Sequence, residues 1–584
     1  VGARAVVDPP VSSTAAFLVK NASVNVTGLD VVPTVSVAYG VFASSQLVKV
    51  SSVVVTGGAS LWSAGVRLDS WSALRNSTVA VQGARAFWLS GASMTVVSDS
   101  TMTNRSAPWA AFHLESSSGI TVTRGFLFNA VSTAASLSAA YGTQFLASTM
   151  TGVNGHGLYA SASSSVTIRA SLVRATSTAV GVYAAVDTHR LTLDASVVLA
   201  SGTASGFEGY GSSYAVTDSF IQAIGVTGYP FYIESGPHWI YRSTFTGWNY
   251  EGFNATDYSS TFGLNISSSY FYTTSASRPA LYTNAIGDVN FNWNVVVSSR
   301  YAAADLEAEL LRVADSSFRS GGNWALTIYG SFGSRVERST ITSDSSSGGA
   351  INMWSNSDSV LFADDYIACT RAATQACAPF SGTGSALLRS TVTSNNFGAA
   401  VSMDFPGFVT DSFIINTAAS GAALVTGGGD TIDRSTFIAL GGTALWITAG
   451  STGSAKSVYA QGGRGFGAFF DRSSSFTIVD SRILGSTAAY VHGSTGVVIG
   501  NSVLTATAAA GVALHLSTKT SVGFLLSSST LMGGELGAAI QVDRDSIGLL
   551  RFSTNVVAGG RYGVRVATTG AGAQVWVASN TVVV

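Results

Sequence analysis

The chain has 584 residues, of which 46% are hydrophobic and only 10% charged, and its formal net charge is −1 from 30 basic and 31 acidic side chains. That apolar share excludes a disordered chain. Charges scattered singly and balanced in sign exclude the electrostatic footprint of bulk nucleic-acid or anionic-membrane binding, and no apolar run approaches the ~20 residues of a membrane helix.

Residues 1–50 keep no clear period and are expected to form an irregular lead-in segment or the first coils. From residue 51 to 584 a phrase recurs. Between Ala110 and Thr151 an apolar triplet (Phe112-His113-Leu114) is followed by an alternating run (Ile120-Thr121-Val122). A polar corner (Arg124-Gly125) then leads into a further apolar run (Phe126-Leu127-Phe128). The small or polar residue before the last run recurs at Ser52, Thr101, Ser196, Thr340, Ser412 and Thr581, among others, at a mean spacing of about 24 residues. Period-2 alternation broken by small residues every few positions marks short strands and turns.

Three short strands per two dozen residues predict an all-β fold: a right-handed single-stranded parallel β-helix, a pectate-lyase-like solenoid of about 23 coils. Inward positions supply Val, Ile, Leu, Phe and Ala, and corners supply Ser, Thr, Asn, Asp and Gly. The helix period that a leucine-rich or TPR-type solenoid needs is nearly absent. One run, Tyr301 to Val313, is rich in helix formers and is expected to be helical without adding a coil. The chain opens at Val1 and stops within a strand-like run at Val584, so it is expected to be a processed or excised piece of something longer.

The two cysteines, Cys369 and Cys377, bracket a seven-residue loop. They are either a local disulfide, and hence a sign of an oxidising compartment, or two free buried thiols. Sequons at Asn21, Asn25, Asn76, Asn104, Asn254 and Asn265 are candidate N-glycosylation sites, allowed by an extracellular setting, although a chain this rich in Ser and Thr yields about five by chance.

Several β-helix families cut acidic polysaccharides and carry recognisable motifs. Gly155-His156-Gly157 and Asp364-Asp365 are present, but the companion motifs of a pectin hydrolase are not, and the two lie about eight coils apart. Glycoside hydrolysis needs its carboxylates within about 5 to 10 Å. The densest acidic neighbours, Asp430 with Asp433 and Asp543 with Asp545, are interleaved with Arg and are expected to be surface ion pairs, as is Asp471-Arg472. No histidine among His113, His156, His189, His238, His492 and His515 has zinc-ligand spacing, and His189 near Asp187 is a weak pairing. No complete catalytic constellation, metal or cofactor is expected. In the strand before each corner pair the residue after the core position points outward. Those residues include Trp88, His113, Tyr159, Tyr183, Tyr232, Tyr282 and Trp446, an aromatic stripe suited to sugar rings or a partner surface, or simply good strand formers.

The succession AFHLESSSGITVTRG, then strand-corner-strand, then Val153-Asn154-Gly155-His156-Gly157-Leu158-Tyr159 resembles the parallel β-helix region of fibrocystin-type cell-surface proteins over about 50 residues, Phe112 to Ala160. That group includes fibrocystin-L and relatives assigned to hyaluronan degradation. The resemblance implies a large glycosylated extracellular protein, membrane-linked or filament-forming, in some cases ciliary. Of the matching motif positions only His156 is carried over, and no role comes with it. The expectation that follows is a structural component of an extracellular coat or filament, on a cilium or flagellum, acting as a rigid glycoprotein spacer. It would dock other subunits or copies of itself through its faces or ends. The alternatives are a polysaccharide-degrading lyase or hydrolase, or a glycan-binding adhesin.

Overall fold

A computed structural model describes residues 4–583, apart from 22, 226, 257–262, 355, 372, 518–522, 544–547 and 568–572. The described residues form an all-β, right-handed parallel β-solenoid of about 23 turns. No helix among them is long and apolar enough to cross a membrane. The chain divides into two compact units, Val1–Val296 and Val297–Val584.

In the first unit the usual coil carries three strands, as in Phe112–Glu115, Thr121–Thr123 and Phe126–Asn129, and in one coil the first two fuse into Leu281–Asn292. Each strand pairs in parallel with its counterpart one coil on: Phe112 opposite Ala135, Thr121 opposite Gln144, Phe126 opposite Thr149. The first coils already obey this rule, with Ala5–Val7 on Leu29–Val31 and Asn25–Thr27 on Lys49–Ser51. Alternation decides which residues are inside. In Phe112–Glu115, Phe112 and Leu114 are fully buried and His113 faces out. Stacked strands bring identical positions together, so Phe231, Phe253, Phe245 and Phe271 share one aromatic core with ring centroids 5.1–5.6 Å apart.

The corner before the third strand explains the spacing. Its first residue lies in the left-handed region coil after coil: Arg124, Ala147, Ala170, Ala195, Asp218 and Arg242 have φ between 46° and 51°. L-residues adopt this conformation at a cost of roughly 1–2 kcal/mol each. The next residue offsets it. Ser148, Ser171, Ser196, Ser219 and Ser243 are buried. The backbone N–H of each donates to the side-chain oxygen one coil on: Ser148 to Ser171 (3.0 Å), Ser171 to Ser196 (3.2 Å), Ser196 to Ser219 (3.1 Å). Each hydroxyl donates in turn to the carbonyl two residues back, as Ser171 does to Arg169 at 2.8 Å. A small side chain that both donates and accepts satisfies a backbone group that the corner would leave orphaned. Ser196 and Ser412 of the recurring series belong to this ladder, and Thr101 and Thr340 directly follow its members Ser100 and Ser339.

The second unit repeats the device, with Ser390 to Ser412 at 3.3 Å and Ser412 to Ser435 at 3.1 Å. Tyr301 to Val313 is not helical. Ala304–Ala314 is one long strand, pairing Ala304–Glu307 with Leu326–Tyr329 and Arg312–Ala314 with Arg335–Glu337. Ala304, Leu306, Ala308, Leu311 and Val313 are buried. The intrinsic helix preference of Ala, Leu and Glu spans less than about 0.7 kcal/mol per residue, and two ladders plus alternate burial override it. Cys369 and Cys377 are joined in a disulfide, with Cα atoms 5.8 Å apart.

Candidate functional site

In the first unit, the outward residue of the strand before each corner pair forms a continuous row. It runs Trp88, His113, Ser136, Tyr159, Tyr183, Glu208, Tyr232, Asn254 and Tyr282, each opposite the next. Trp446 lies elsewhere, on a row of the second unit with Phe469, Tyr490, His515 and Gln541.

Between residues 156 and 250 the row widens into a connected aromatic surface over five successive coils. Tyr159 and Tyr183 stack at 5.4 Å with planes 5° apart. His156 touches both, at 5.6 and 5.1 Å. Tyr210 then contacts Tyr183 (5.5 Å) and Tyr232 (5.7 Å). Tyr229 joins Tyr232 (5.2 Å) to Tyr250 (4.5 Å). Alternation missed three of these. Tyr210 follows the strand end at Gly209, and Tyr229 and Tyr250 precede their strands. A Tyr recurring near each strand boundary was the available signal.

Two carboxylates sit among the rings. Tyr210 donates its hydroxyl to Glu208 Oε2 at 3.3 Å, and Tyr232 donates to Glu234. Glu208 is opposite Tyr232, and Glu234 follows Ile233, which is opposite Gly209, so the four side chains alternate Glu-Tyr and Tyr-Glu on adjacent coils. Burial raises the phenol of Tyr183, and Glu208 raises it further. The phenols of Tyr210 and Tyr229 rise for the same leading reason, burial. These hydroxyls therefore stay protonated at neutral pH and act as donors rather than bases. Burial lowers His156, whose Nδ1 accepts the Val180 N–H at 3.2 Å, so the ring is neutral. Glu251, buried at 2% side-chain exposure, meets Arg278 at 3.3 Å, and that guanidinium lies 5.2 Å over Tyr250.

The Gly155-His156-Gly157 motif is explained by close packing. A Cβ on Gly155 would lie 2.3 Å from Ser132 backbone, and one on Gly157 would lie 2.4 Å from the Val173 side chain. The glycines let neighbouring coils approach while His156 is presented to the tyrosines. Before Tyr159 the row is cationic and aromatic. Arg67 donates to Tyr39 (2.8 Å) and lies 4.4 Å over Trp88, and Arg85 lies over Trp88 and Trp109 at 4.9 and 4.2 Å. Burial, with Arg85 beside it, lowers His113 to about 4.

The remaining candidates do not converge on this surface. His189 Nδ1 meets Ser212 Oγ at 2.9 Å at a corner, and His238 is a core residue accepting the Tyr214 N–H. Among the described residues no three His, Cys, Asp or Glu side chains are placed to hold a metal ion. Asp364 is a corner residue paired with Arg389 at 2.7 Å, while Asp365 is buried in the serine ladder. Asp430 is not the surface ion-pair residue expected. It is fully buried in the strand Gly429–Asp433 and accepts the Gly407 N–H at 3.0 Å. Arg434 pairs with Asp433 and with Asp411 one coil back, and Asp471 pairs with Arg472. Asp543 meets His515 at 2.9 Å, and Asp545 lies outside the described residues. Of the sequons, Asn21, Asn25 and Asn76 are exposed and Asn265 is half-buried. Asn104 and Asn254 are buried. Asn104 spends its amide on the carbonyls of Ala107 and Trp109, so it is a corner-binding residue and not a surface acceptor.

In the second unit, Trp446, Phe469, Phe466 and Tyr490 form a second aromatic run with centroids 4.8–5.6 Å apart, and His515 closes on Tyr490 at 4.9 Å.

No curated protein matches the chain. Among solved structures it is similar to the A-module of the Azotobacter vinelandii mannuronan C-5 epimerase AlgE6, at 11% identity over 72% of this chain and 90% of that one, TM-score 0.19. It is also similar to the PL6 family alginate lyase AlyGC, at 9% identity over 92% of this chain and 98% of that one, TM-score 0.24. Residues 407–582 match the family described as "Right handed beta helix region".

Proposed function

We propose that the chain is an extracellular glycan-binding protein, and that the tyrosine surface of its first unit holds one extended pyranose chain. The observation that carries this is the unbroken ring contact from His156 through Tyr159, Tyr183, Tyr210, Tyr232 and Tyr229 to Tyr250. Coils are about 4.8 Å apart, close to the advance of one sugar in an extended chain, so successive rings meet successive sugars. The exposed edges of these half-buried rings pack against the apolar C–H faces of pyranoses, and the carboxylates and hydroxyls beside them bind the equatorial hydroxyls. The disulfide supports an extracellular setting, with which the exposed sequons at Asn21, Asn25 and Asn76 are compatible. The expectation of a coat or filament spacer gains nothing from this surface. Binding of purified protein to immobilised glycans tests the reading: retention that is lost on replacing Tyr183 and Tyr210 by Ala supports it, and retention by neither form refutes it.

One observation favours a second reading, hydrolysis. Glu208 and Glu234 lie diagonally on adjacent strands and project from the same face, and a pair of carboxylates flanking one glycosidic bond is what hydrolysis requires. Release of reducing ends, abolished by Glu208→Gln and Glu234→Gln alike, would establish it.

A further inference from the structure

We infer that the tyrosine surface takes a pyranose chain without carboxylates and excludes polyuronates. This deepens the glycan-binding reading and rests on it.

The argument is one of charge. From Tyr159 to Tyr282 the outward row contains Tyr159, Tyr183, Glu208, Tyr232, Asn254 and Tyr282, with no cation. The parallel line two residues further along includes Glu234, Thr256 and Asn284, again with no cation. The loop after the Tyr183 strand adds Asp187, which accepts the Ala162 N–H at 2.7 Å. His156 contributes no positive charge. Arg278 is engaged by buried Glu251 and by the face of Tyr250. Arg67 and Arg85 lie on earlier coils, held between aromatic faces.

A uronate on this surface would place its carboxylate against Glu208 and Glu234 with no cation to compensate, and like charges so placed oppose binding. A neutral sugar presents hydroxyl donors instead. Each glutamate takes one bond from its own tyrosine, and a carboxylate has about four lone-pair sites, so capacity remains for a vicinal diol. An amino sugar adds a favourable charge.

The experiment is isothermal titration of the full chain, near neutral pH and at low salt, with four hexasaccharides: cellohexaose, a glucosamine hexamer, a mannuronate hexamer and a galacturonate hexamer. The expected result is binding of cellohexaose, of the glucosamine hexamer at least as tightly, and of both uronates at least tenfold more weakly. Glu208→Gln with Glu234→Gln should narrow that gap by about tenfold, with the melting temperature reporting an intact fold. A uronate that binds as tightly as cellohexaose, or a gap unchanged in the double variant, overturns the inference while leaving glycan binding in place. Absence of binding by all four overturns both.

Discussion

The phenol rings of Tyr159 and Tyr183 lie parallel at 5.4 Å, yet the residues are a full coil apart in the chain. Their strands pair so that each faces the other directly. Neither ring is needed to fill the core, which Leu158, Val182 and Ala184 already occupy. Replacing both by Ala should therefore weaken glycan binding without unfolding the protein. With about 0.5–1.5 kcal/mol per aromatic contact, the double variant should bind roughly 5- to 150-fold more weakly, with a melting temperature within a few degrees of wild type. Calorimetry of binding and of unfolding on the same samples separates the two effects.

The serine ladder should best tolerate chemistry that preserves its donor and acceptor. Ser196→Ala removes the acceptor of the Ser171 N–H and leaves a buried donor unpaired, at a cost of about 1–3 kcal/mol. Asn already serves this role at Asn294, whose Oδ1 accepts the Ser269 N–H at 2.8 Å. Ser196→Asn should therefore cost less than Ser196→Ala in urea unfolding of the two variants.

Asp365 stands in that ladder where its neighbours have Ser. It accepts the Ser339 N–H at 2.7 Å and gives its own N–H to Ser390 Oγ, while its Oδ2 is buried without a partner. Burial pushes its carboxyl up to about 8, against about 3.9 in an unfolded chain. The folded state then keeps a proton that the unfolded state releases, so stability falls as pH rises from about 4 to 8, by at most about 1.4 kcal/mol per unit. Asp365→Asn keeps the acceptor and supplies a permanent donor. Wild type and variant should melt together at pH 4 and diverge upward to pH 8, with the variant the more stable; parallel melting curves across that range would remove the account of Asp365.

Gly181 precedes the Tyr183 strand at a close approach of neighbouring coils. A Cβ there would lie 2.4 Å from the Gly206 carbonyl oxygen and 2.6 Å from a Val198 methyl. The backbone oxygen cannot move aside cheaply, so Gly181→Ala should destabilise by about 1–3 kcal/mol, read as a lower denaturant midpoint.

The repeat was legible in the sequence because two requirements recur in every coil: alternation for the core and a small polar residue at the corner. The corner's reason was not legible, since Ala147, Arg124 and Asp218 share a left-handed backbone that residue type does not announce. Composition misled at Ala304–Ala314, where helix formers satisfy two strand ladders. The row from Trp88 to Tyr282 follows from counting outward positions, but Tyr210, Tyr229 and Tyr250 sit at strand boundaries where alternation lapses. Glu208 and Glu234 look like isolated charges in the chain and become neighbours only when adjacent coils are set in register.

The most direct test of the tyrosine surface is affinity as a function of ligand length. Titrating the full chain with a neutral β-linked oligosaccharide series should show affinity climbing with each added sugar until the five coils between His156 and Tyr250 are covered, then levelling. An affinity independent of length, or a rising series unchanged by Tyr159→Ala with Tyr183→Ala, would contradict it.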